Sequence, residues 1–207
     1  MIYALMRNDD EYLKIVGKYR NDRPHGEREI DHFCNAFGLL MKHMAETNEE
    51  ALGQVYEQWE IANKHNGQFF TPVHVCNFIA QMIAGNDEAP SISDPACGSG
   101  RLLIAKLKTM TNAQADKAVF VGQDVDFTCV MMCALNFVFF NVNGYVIWGN
   151  ALARTDYRRV FRTVRSYMGG SIIEIDPETI KPATEAPEVK TPDAGVRWPN
   201  EQTSFFK

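Results

Sequence analysis

The chain has 207 residues, 45% of them hydrophobic and 23% charged, with a formal net charge of -5. This composition is typical of a globular protein with one ordinary core, and the acidic balance argues against a free-standing nucleic-acid binder. The five cysteines are scattered without a Cys-x-x-Cys pair, so neither a disulfide framework nor a metal site is predicted.

Residues 1–66 are predicted to form an N-terminal helical region. Apolar side chains recur at helical spacing in three stretches, at residues 12–19, 30–44 and 52–59. The residues from Thr47 to Glu50 have the types found at a helix N-cap, so the third helix is expected to start near Asn48. Taken alone, such a region is a scaffold or a partner-binding surface.

The central part of the chain, residues 67–177, alternates helical and β-favouring segments. Helices are predicted at residues 73–83, 101–107, 127–141 and 157–167. Strands are predicted at residues 91–93, 118–122, 145–149 and 169–175. Thr71 and Pro72 suit the N-cap and the first turn of the first of these helices. The alternation predicts an α/β fold with a parallel, doubly wound sheet and right-handed crossovers.

Residues 178–207 differ in character from the rest. Prolines recur there among charged and small residues without an apolar period, which predicts a disordered tail. The start of the chain turns acidic too early for a signal peptide, and the longest apolar run, residues 130–140, is too short to span a bilayer. We therefore expect a cytoplasmic protein without a membrane anchor.

The basic residues between Arg154 and Arg165 are the main cluster of positive charge. As part of the predicted helix 157–167, they favour a solvated helix face. A surface that contacts phosphates or a protein partner is the alternative.

The stretch Asp94-Pro95-Ala96-Cys97-Gly98-Ser99-Gly100 follows the first predicted strand and leads into a helix. Gly98 and Gly100 can adopt positive φ and have no Cβ, so backbone can approach a ligand closely. The N-terminus of the following helix offers free N–H groups, and Asp94 could hold a cationic group. A strand, a tight glycine turn and a helix in this order indicate a site for a nucleotide-like ligand.

Two further polar positions follow the next strands at the same predicted edge of the sheet. Asp124 comes after the second strand, where a carboxylate meets the ribose hydroxyls of a nucleoside ligand, and Asn150 comes after the third. The alternatives are that Asp124 and Asp126 cap the next helix, and that Asn150 forms a turn.

These residues resemble the adenine-specific DNA methyltransferases, and most closely the modification subunit of type I restriction systems. The resemblance is carried by five elements, Ala51-Leu52-Gly53-Gln54-Val55-Tyr56-Glu57, Gly67-Gln68-Phe69-Phe70-Thr71-Pro72, Asp94 to Gly100, Gly122 to Asp126 with Asn136, and Gly149-Asn150-Ala151-Leu152. It implies a Rossmann-like methyltransferase fold and S-adenosylmethionine as the cofactor. It also implies DNA as a partner, reached together with a specificity or partner subunit.

The resemblance further implies a role for each site residue. Phe70, Thr71 and Pro72 would flank the methionine portion of the cofactor. Asp94 would face its ammonium group, and Ala96, Gly98 and Gly100 would admit the cofactor to the backbone of the loop. Asp124 would hold the ribose, and Asn150 would reach the adenine.

The catalytic run of that family, [DN]-P-P-[YFW] after the fourth strand, is not present in this sequence. Ile175-Asp176-Pro177-Glu178-Thr179 stands in its place, and it lacks the second proline and the aromatic residue that stacks on a flipped base. Asp176 is a degenerate catalytic candidate, and a plain turn is the alternative. Only four strands are predicted, against seven in the family.

Three functions are compatible with the sequence. The first is a methyltransferase that modifies the exocyclic amino group of adenine in DNA. The second is an inactive cofactor-binding homologue that acts as a partner subunit or decoy of a restriction–modification complex. The third is an interaction protein that keeps the fold and binds no cofactor.

Overall fold

The structure, a computed structural model, describes residues 1–59, 70–85, 90–153 and 156–180. Its helices are α1 Ile2–Leu5, α2 Asp9–Val16, α3 Glu29–Thr47, α4 Leu52–Trp59, α5 Val73–Met82, α6 Arg101–Lys108, α7 Asn112–Lys117 and α8 Phe127–Phe139. Its strands are β1 Ser91–Asp94, β2 Val119–Asp124, β3 Gly144–Trp148, β4 Arg159–Val164 and β5 Ser171–Ile175. A 3-10 turn, Pro177–Thr179, follows β5. Of the predicted tail at 178–207, residues 181–207 lie outside the described residues, as does the predicted boundary at residue 66.

The five strands form one mixed sheet with the order β1-β2-β3-β4-β5. β1, β2 and β3 are parallel, and their connections run through α6 with α7 and through α8. This part confirms the α/β prediction. β4 and β5 are antiparallel additions beside β3, so the prediction of a wholly parallel sheet is wrong for the last two strands.

The prediction of a basic helix at residues 157–167 is also wrong, because this segment contains strand β4. Val160, Phe161 and Thr163 are fully buried in it, while Arg162 is exposed. Branched and aromatic side chains fit a pleated, half-buried surface, and pairing with both β3 and β5 outweighs the helix-like spacing of the arginines.

The main core lies between the helices and one face of the sheet. α8 is apolar nearly all round and contacts β2, β3 and β4, while α6 packs beside it and contacts β1. Phe120, Val146 and Phe161 project from the sheet into this core. On the other face Ile173 is 52% exposed, whereas Ile147 and Val160 are buried.

The N-terminal helices are not separate from this core. Ile2 of α1 is 3% exposed and belongs to the core cluster, and both α1 and α4 contact α8. α1 and α7 were not predicted from the sequence. Asn48, in a left-handed conformation, ends α3 rather than starting the next helix, so the predicted N-cap there is wrong.

The start of α5 also differs from the prediction. Pro72 occupies the N-cap position and makes no side-chain capping bond, so Thr71 is not the cap. Cys129 and Cys133, both in α8, are buried.

Candidate cofactor site

The glycine loop between β1 and α6 adopts the backbone conformation that its glycines permit. Gly98 has φ 53° and Gly100 has φ 81°. A Cβ at Gly98 would lie 2.9 Å from ring atoms of Phe70, and one at Gly100 would lie 2.8 Å from Sγ of Cys133. Glycine is therefore required at both positions for two reasons, the positive φ and the close approach of a neighbouring side chain.

Asp94 and Asp124 lie at the carboxyl ends of neighbouring strands, and the glycine loop connects them. The N–H of Gly98 donates to Oδ2 of Asp124 at 2.9 Å, and the N–H of Ala96 donates to Oδ1 of Asp94 at 3.1 Å. The N–H of Asp126 donates to the other carboxylate oxygen of Asp124 at 2.9 Å. Both carboxylates are thus oriented by backbone donors and keep further lone pairs for a ligand.

The environment of Asp94 changes its acidity. Burial raises the pKa of the Asp94 carboxyl, and the negative charge of Asp124 adds to the rise, while the bond from the Ala96 N–H opposes it. A partly buried carboxyl beside a second carboxylate gains from a cationic partner, because such a partner favours its charged form. This edge of the sheet is therefore suited to a positively charged group.

Phe70 and Thr71 form a wall opposite the glycine loop. Together with Asp94, Gly98 and Arg101 they line a cleft of about 60 Å³. This volume matches a small polar group rather than a whole nucleoside, since a water molecule takes about 30 Å³ of liquid volume. Pro72, next in the chain, is exposed at the start of α5. Of the family-like hexapeptide, residues 67–69 lie outside the described residues.

Asn150 lies on the far side of Asp124 from the cleft. The N–H of Gly149 donates to the carbonyl oxygen of Asp124 at 3.0 Å, and Asn150 is the next residue along the chain. Its Oδ1 accepts from the N–H of Leu152 at 3.0 Å, as the alternative of a turn at Asn150 predicted, while the cofactor contact stays a prediction. Asp126 caps α8 by accepting from Thr128 and Cys129 N–H groups, as the capping alternative predicted for that residue.

Asp176 is not brought together with the glycine loop. It follows β5, whose position is four strands from β1 in the sheet order. At about 4.8 Å between neighbouring strands, this is a separation on the order of 19 Å. Its side chain accepts from the N–H of Glu178 at 2.9 Å and so starts the 3-10 turn.

A buried carboxylate next to α4, that of Glu50, supports the glycine loop, and it was not identified from the sequence. Glu50 is 3% exposed, and its Oε1 accepts from the N–H of Gly53 and from Nδ2 of Asn136 at 2.9 Å. The same Nδ2 donates to the carbonyl oxygen of Ser99 at 2.8 Å. A Cβ on Gly53 would lie 2.5 Å from Oγ of Ser99, so α4 touches the loop directly. The family-like helix containing Gly53 was the one available signal.

The basic residues near β4 are engaged within the protein. Arg158 pairs with Asp156 at 3.0 Å, Arg159 with Glu174 at 2.6 Å and Arg165 with Asp116 at 2.6 Å. Their charges are therefore matched by neighbouring carboxylates. This leaves little support for the alternative of a phosphate-binding patch made by these side chains.

The described residues contain no cluster of three or more histidine, cysteine or acidic side chains arranged to hold a metal ion. Within the same part of the chain, no helix combines the length and the apolar character that crossing a membrane requires.

The arrangement offers acceptors for a cationic ligand. The carboxylate of Asp94 lines the cleft, and the carboxylate of Asp124 stands at the end of the neighbouring strand. Arg101, also in the cleft wall, is matched by the carboxylates of Glu50 and Glu57, so it does not cancel the charge of the site. The donor and acceptor set therefore fits S-adenosylmethionine, a net cation with an amino-acid end and an adenosine end.

Known proteins that are similar in sequence to this chain agree with the family resemblance of its motifs. The chain is 24% identical over 171 residues to the type I restriction enzyme MpnII methylase subunit of Mycoplasma pneumoniae, across 75% of this chain and 32% of that relative. It is 28% identical over 142 residues to the MjaVIII methylase subunit of Methanocaldococcus jannaschii, across 65% of this chain and 23% of that relative. The chain thus spans about a quarter to a third of the length of these curated relatives.

A crystal structure of the type I restriction-modification system methyltransferase subunit from Streptococcus thermophilus aligns with 48% of this chain and 22% of that one. The TM-score is 0.34 and the identity 22%. The profile of the family described as N-6 DNA Methylase matches residues 47–165, which is more than half of the chain and includes the glycine loop. The resemblance seen in the sequence is confirmed, and the chain belongs to the N-6 DNA methylase family.

Proposed function

We propose that this chain binds S-adenosylmethionine and forms the cofactor-binding part of a DNA adenine methyltransferase of the restriction–modification type. The observation that carries the proposal is the pair of carboxylates, Asp94 and Asp124, held on either side of a glycine loop by backbone N–H groups. A loop of this kind at the carboxyl ends of parallel strands is where open α/β sheets bind nucleoside ligands.

The residues divide into two groups along the site. Asp94, Thr71 and Phe70 take the amino-acid end of the cofactor in the enclosed cleft. Gly98 lets the backbone approach the ligand, Asp124 binds the ribose, and the turn at Asn150 borders the adenine. When bound, S-adenosylmethionine supplies an electrophilic methyl group for the exocyclic amino group of adenine.

The chain's own residues orient the cofactor, but the candidate for the chemical step is poorly placed. Asp176 lies on the order of 19 Å from β1 and is engaged in a turn. We therefore propose that methyl transfer to DNA requires a specificity or partner subunit. The second function, an inactive homologue that acts as a partner subunit or decoy, is favoured by this same placement of Asp176.

Calorimetric titration of the purified chain with S-adenosylmethionine tests the cofactor proposal. We expect saturable binding by the intact chain and a loss of at least about tenfold in affinity in Asp94→Ala, since a buried charged pairing is removed. Asp22→Ala, which removes an exposed carboxylate outside the site, should bind like the intact chain. Absence of binding by the intact chain would refute the proposal.

Methyl transfer then separates the two functions. Incorporation of labelled methyl groups into adenine-containing DNA is measured with the chain alone and with a specificity subunit added. Transfer in either case supports the methyltransferase, while cofactor binding without transfer in both cases supports the inactive homologue.

A further inference from the structure

A single buried arginine joins α4 to the wall of the cofactor cleft. Arg101, 6% exposed, is the first residue of α6 directly after the glycine loop. Its Nε donates to Oε2 of Glu50 at 3.0 Å, and its Nη2 donates to Oε2 of Glu57 at 3.1 Å. Two carboxylates from the α4 segment therefore hold the guanidinium in a fixed orientation.

The remaining part of the guanidinium faces the cleft wall. Its Nη1 donates to the carbonyl oxygen of Thr71 at 3.0 Å, and its central carbon lies 5.7 Å from the ring centroid of Phe70. The ring of Phe70 stacks in turn on Tyr56 of α4, with centroids 5.7 Å apart. Arg101 thus fixes both residues that stand opposite the glycine loop.

This geometry points to orientation rather than to charge recognition. A buried guanidinium that is paired with two carboxylates has no net positive charge to offer a ligand. Its planar fork, however, can connect three partners at fixed angles, which a lysine ammonium on a flexible stem does not reproduce. None of its described hydrogen bonds reaches Asp124 or Asn150, on the ribose side.

We propose that Arg101 is a positioning residue for the half of the site that receives the amino-acid end of the cofactor. The inference rests on the proposed function, because it assigns that end of S-adenosylmethionine to the cleft between Thr71 and Asp94. Arg101 sets the distance between the two walls of this cleft, and Glu57 sets the orientation of Arg101. The nucleoside half of the site does not depend on it.

Two ligands distinguish this role from a general effect on folding. S-adenosylmethionine contains both halves, whereas 5′-methylthioadenosine lacks the amino-acid end. In Arg101→Lys we expect an affinity for S-adenosylmethionine that is lower by about tenfold, which equals about 1.4 kcal/mol. The affinity for 5′-methylthioadenosine should change by less than about twofold, because Asp124 and the glycine loop keep their contacts.

Arg165→Lys is the matched control. Arg165 also contacts three partners, Asp116, Asn112 and the carbonyl of Asn141, but it follows β4 at the opposite edge of the sheet. Its replacement should leave both affinities unchanged. Glu57→Gln provides a second test if Arg101→Lys fails to fold, because Glu57 is 39% exposed and its loss disturbs packing little. It should lower the affinity for S-adenosylmethionine alone, by about threefold.

The outcomes separate the two proposals. An equal loss for both ligands in Arg101→Lys, or unchanged affinity for S-adenosylmethionine, would overturn the positioning role and leave the cofactor proposal intact. Where Arg101→Lys does not fold, unchanged or equally lowered affinities in Glu57→Gln do the same. An intact chain that binds neither ligand refutes the proposed function and this inference with it.

Discussion

In the proposed function, Asp94 is the side chain that pairs with the ammonium group of the cofactor, and its acidity predicts a pH dependence of binding. Its pKa is raised by burial and by the charge of Asp124, so it takes up a proton at a higher pH than an exposed aspartate. The carboxylate attracts an ammonium group only above that pKa. We expect the affinity for S-adenosylmethionine to fall as the pH is lowered towards the pKa of Asp94, and to do so at a higher pH than an exposed aspartate would require, as titrations on the acidic side would show.

Asp94→Asn is the variant that isolates this effect. The amide cannot ionise, so binding should be weaker at neutral pH and nearly independent of pH on the acidic side. The sign for stability is opposite in the ligand-free chain, because a raised carboxyl pKa favours the folded state at low pH and loses that contribution as the pH rises. A pH dependence that survives in Asp94→Asn would assign it to another group.

The sequence indicated some of these side chains and not others, for a reason of distance along the chain. Asp94 and Gly98 lie in one contiguous run, so their pattern is visible without the fold. Arg101 and Glu50 are 51 residues apart, and Glu50 and Asn136 are 86 apart. Pairings of this kind depend on the tertiary arrangement of α4, α6 and α8, which local periodicity does not specify.

Arg159 of β4 binds across the hairpin to β5 and also contacts α1 and α8. Its guanidinium binds both carboxylate oxygens of Glu174, at 2.6 and 2.7 Å, and the hydroxyl of Tyr3 at 3.1 Å. It also lies 5.1 Å from the ring centroid of Phe127. Arg159→Lys keeps the charge but loses the forked geometry, and we expect the free energy of unfolding to fall by about 1–2 kcal/mol in urea titrations.

Arg158 offers a control in the adjacent position. It also forms a forked pair, with Asp156, but its side chain is 49% exposed and its partner is only two residues away. Exposed pairs contribute little, so Arg158→Lys should change the free energy of unfolding by less than about 0.5 kcal/mol. Equal losses in the two variants would contradict the role given to Arg159.

Four of the five strands were predicted from the sequence, and β4 was not. β1, β2, β3 and β5 were expected close to where they lie. β2, β3 and β5 are short runs rich in apolar or β-branched residues, and β1 stands directly before the glycine loop. β4 is different, since arginines interrupt its apolar side chains and give a spacing that suits a helix. Only its pairing on both sides, with β3 and β5, decides its conformation.

The first residues of the chain pack into the main core, although the sequence assigned them to the N-terminal helical region. Ile2 is 3% exposed and lies in the main core, although α1 has only four residues. Ile2→Ala removes buried apolar volume and leaves a cavity, so we expect the free energy of unfolding to fall by about 2–4 kcal/mol. Thermal and urea unfolding monitored by circular dichroism would measure the change.

Leu5→Ala in the same helix is the comparison, because Leu5 is 40% exposed. It should cost less than about 1 kcal/mol, since little contact is lost. If Ile2→Ala lowered the free energy of unfolding as little as Leu5→Ala, the contribution given to α1 in the core would be contradicted. The boundary predicted at residue 66 stays a prediction. α1 precedes this boundary, but it contributes to the core that the residues after the boundary form.

The position of β1 has a consequence for the rate at which its backbone amides exchange with solvent. β1 has four residues and pairs only with β2 within the described part of the chain, because β4 and β5 extend the sheet from β3. A short edge strand opens locally at a lower free energy than the central strands do. Deuterium uptake at β1 and the adjoining glycine loop should therefore precede uptake at β2 and β3. A ligand held by Asp94 and Gly98 would slow this opening, so the exchange rate of this edge strand would report directly whether the site is occupied.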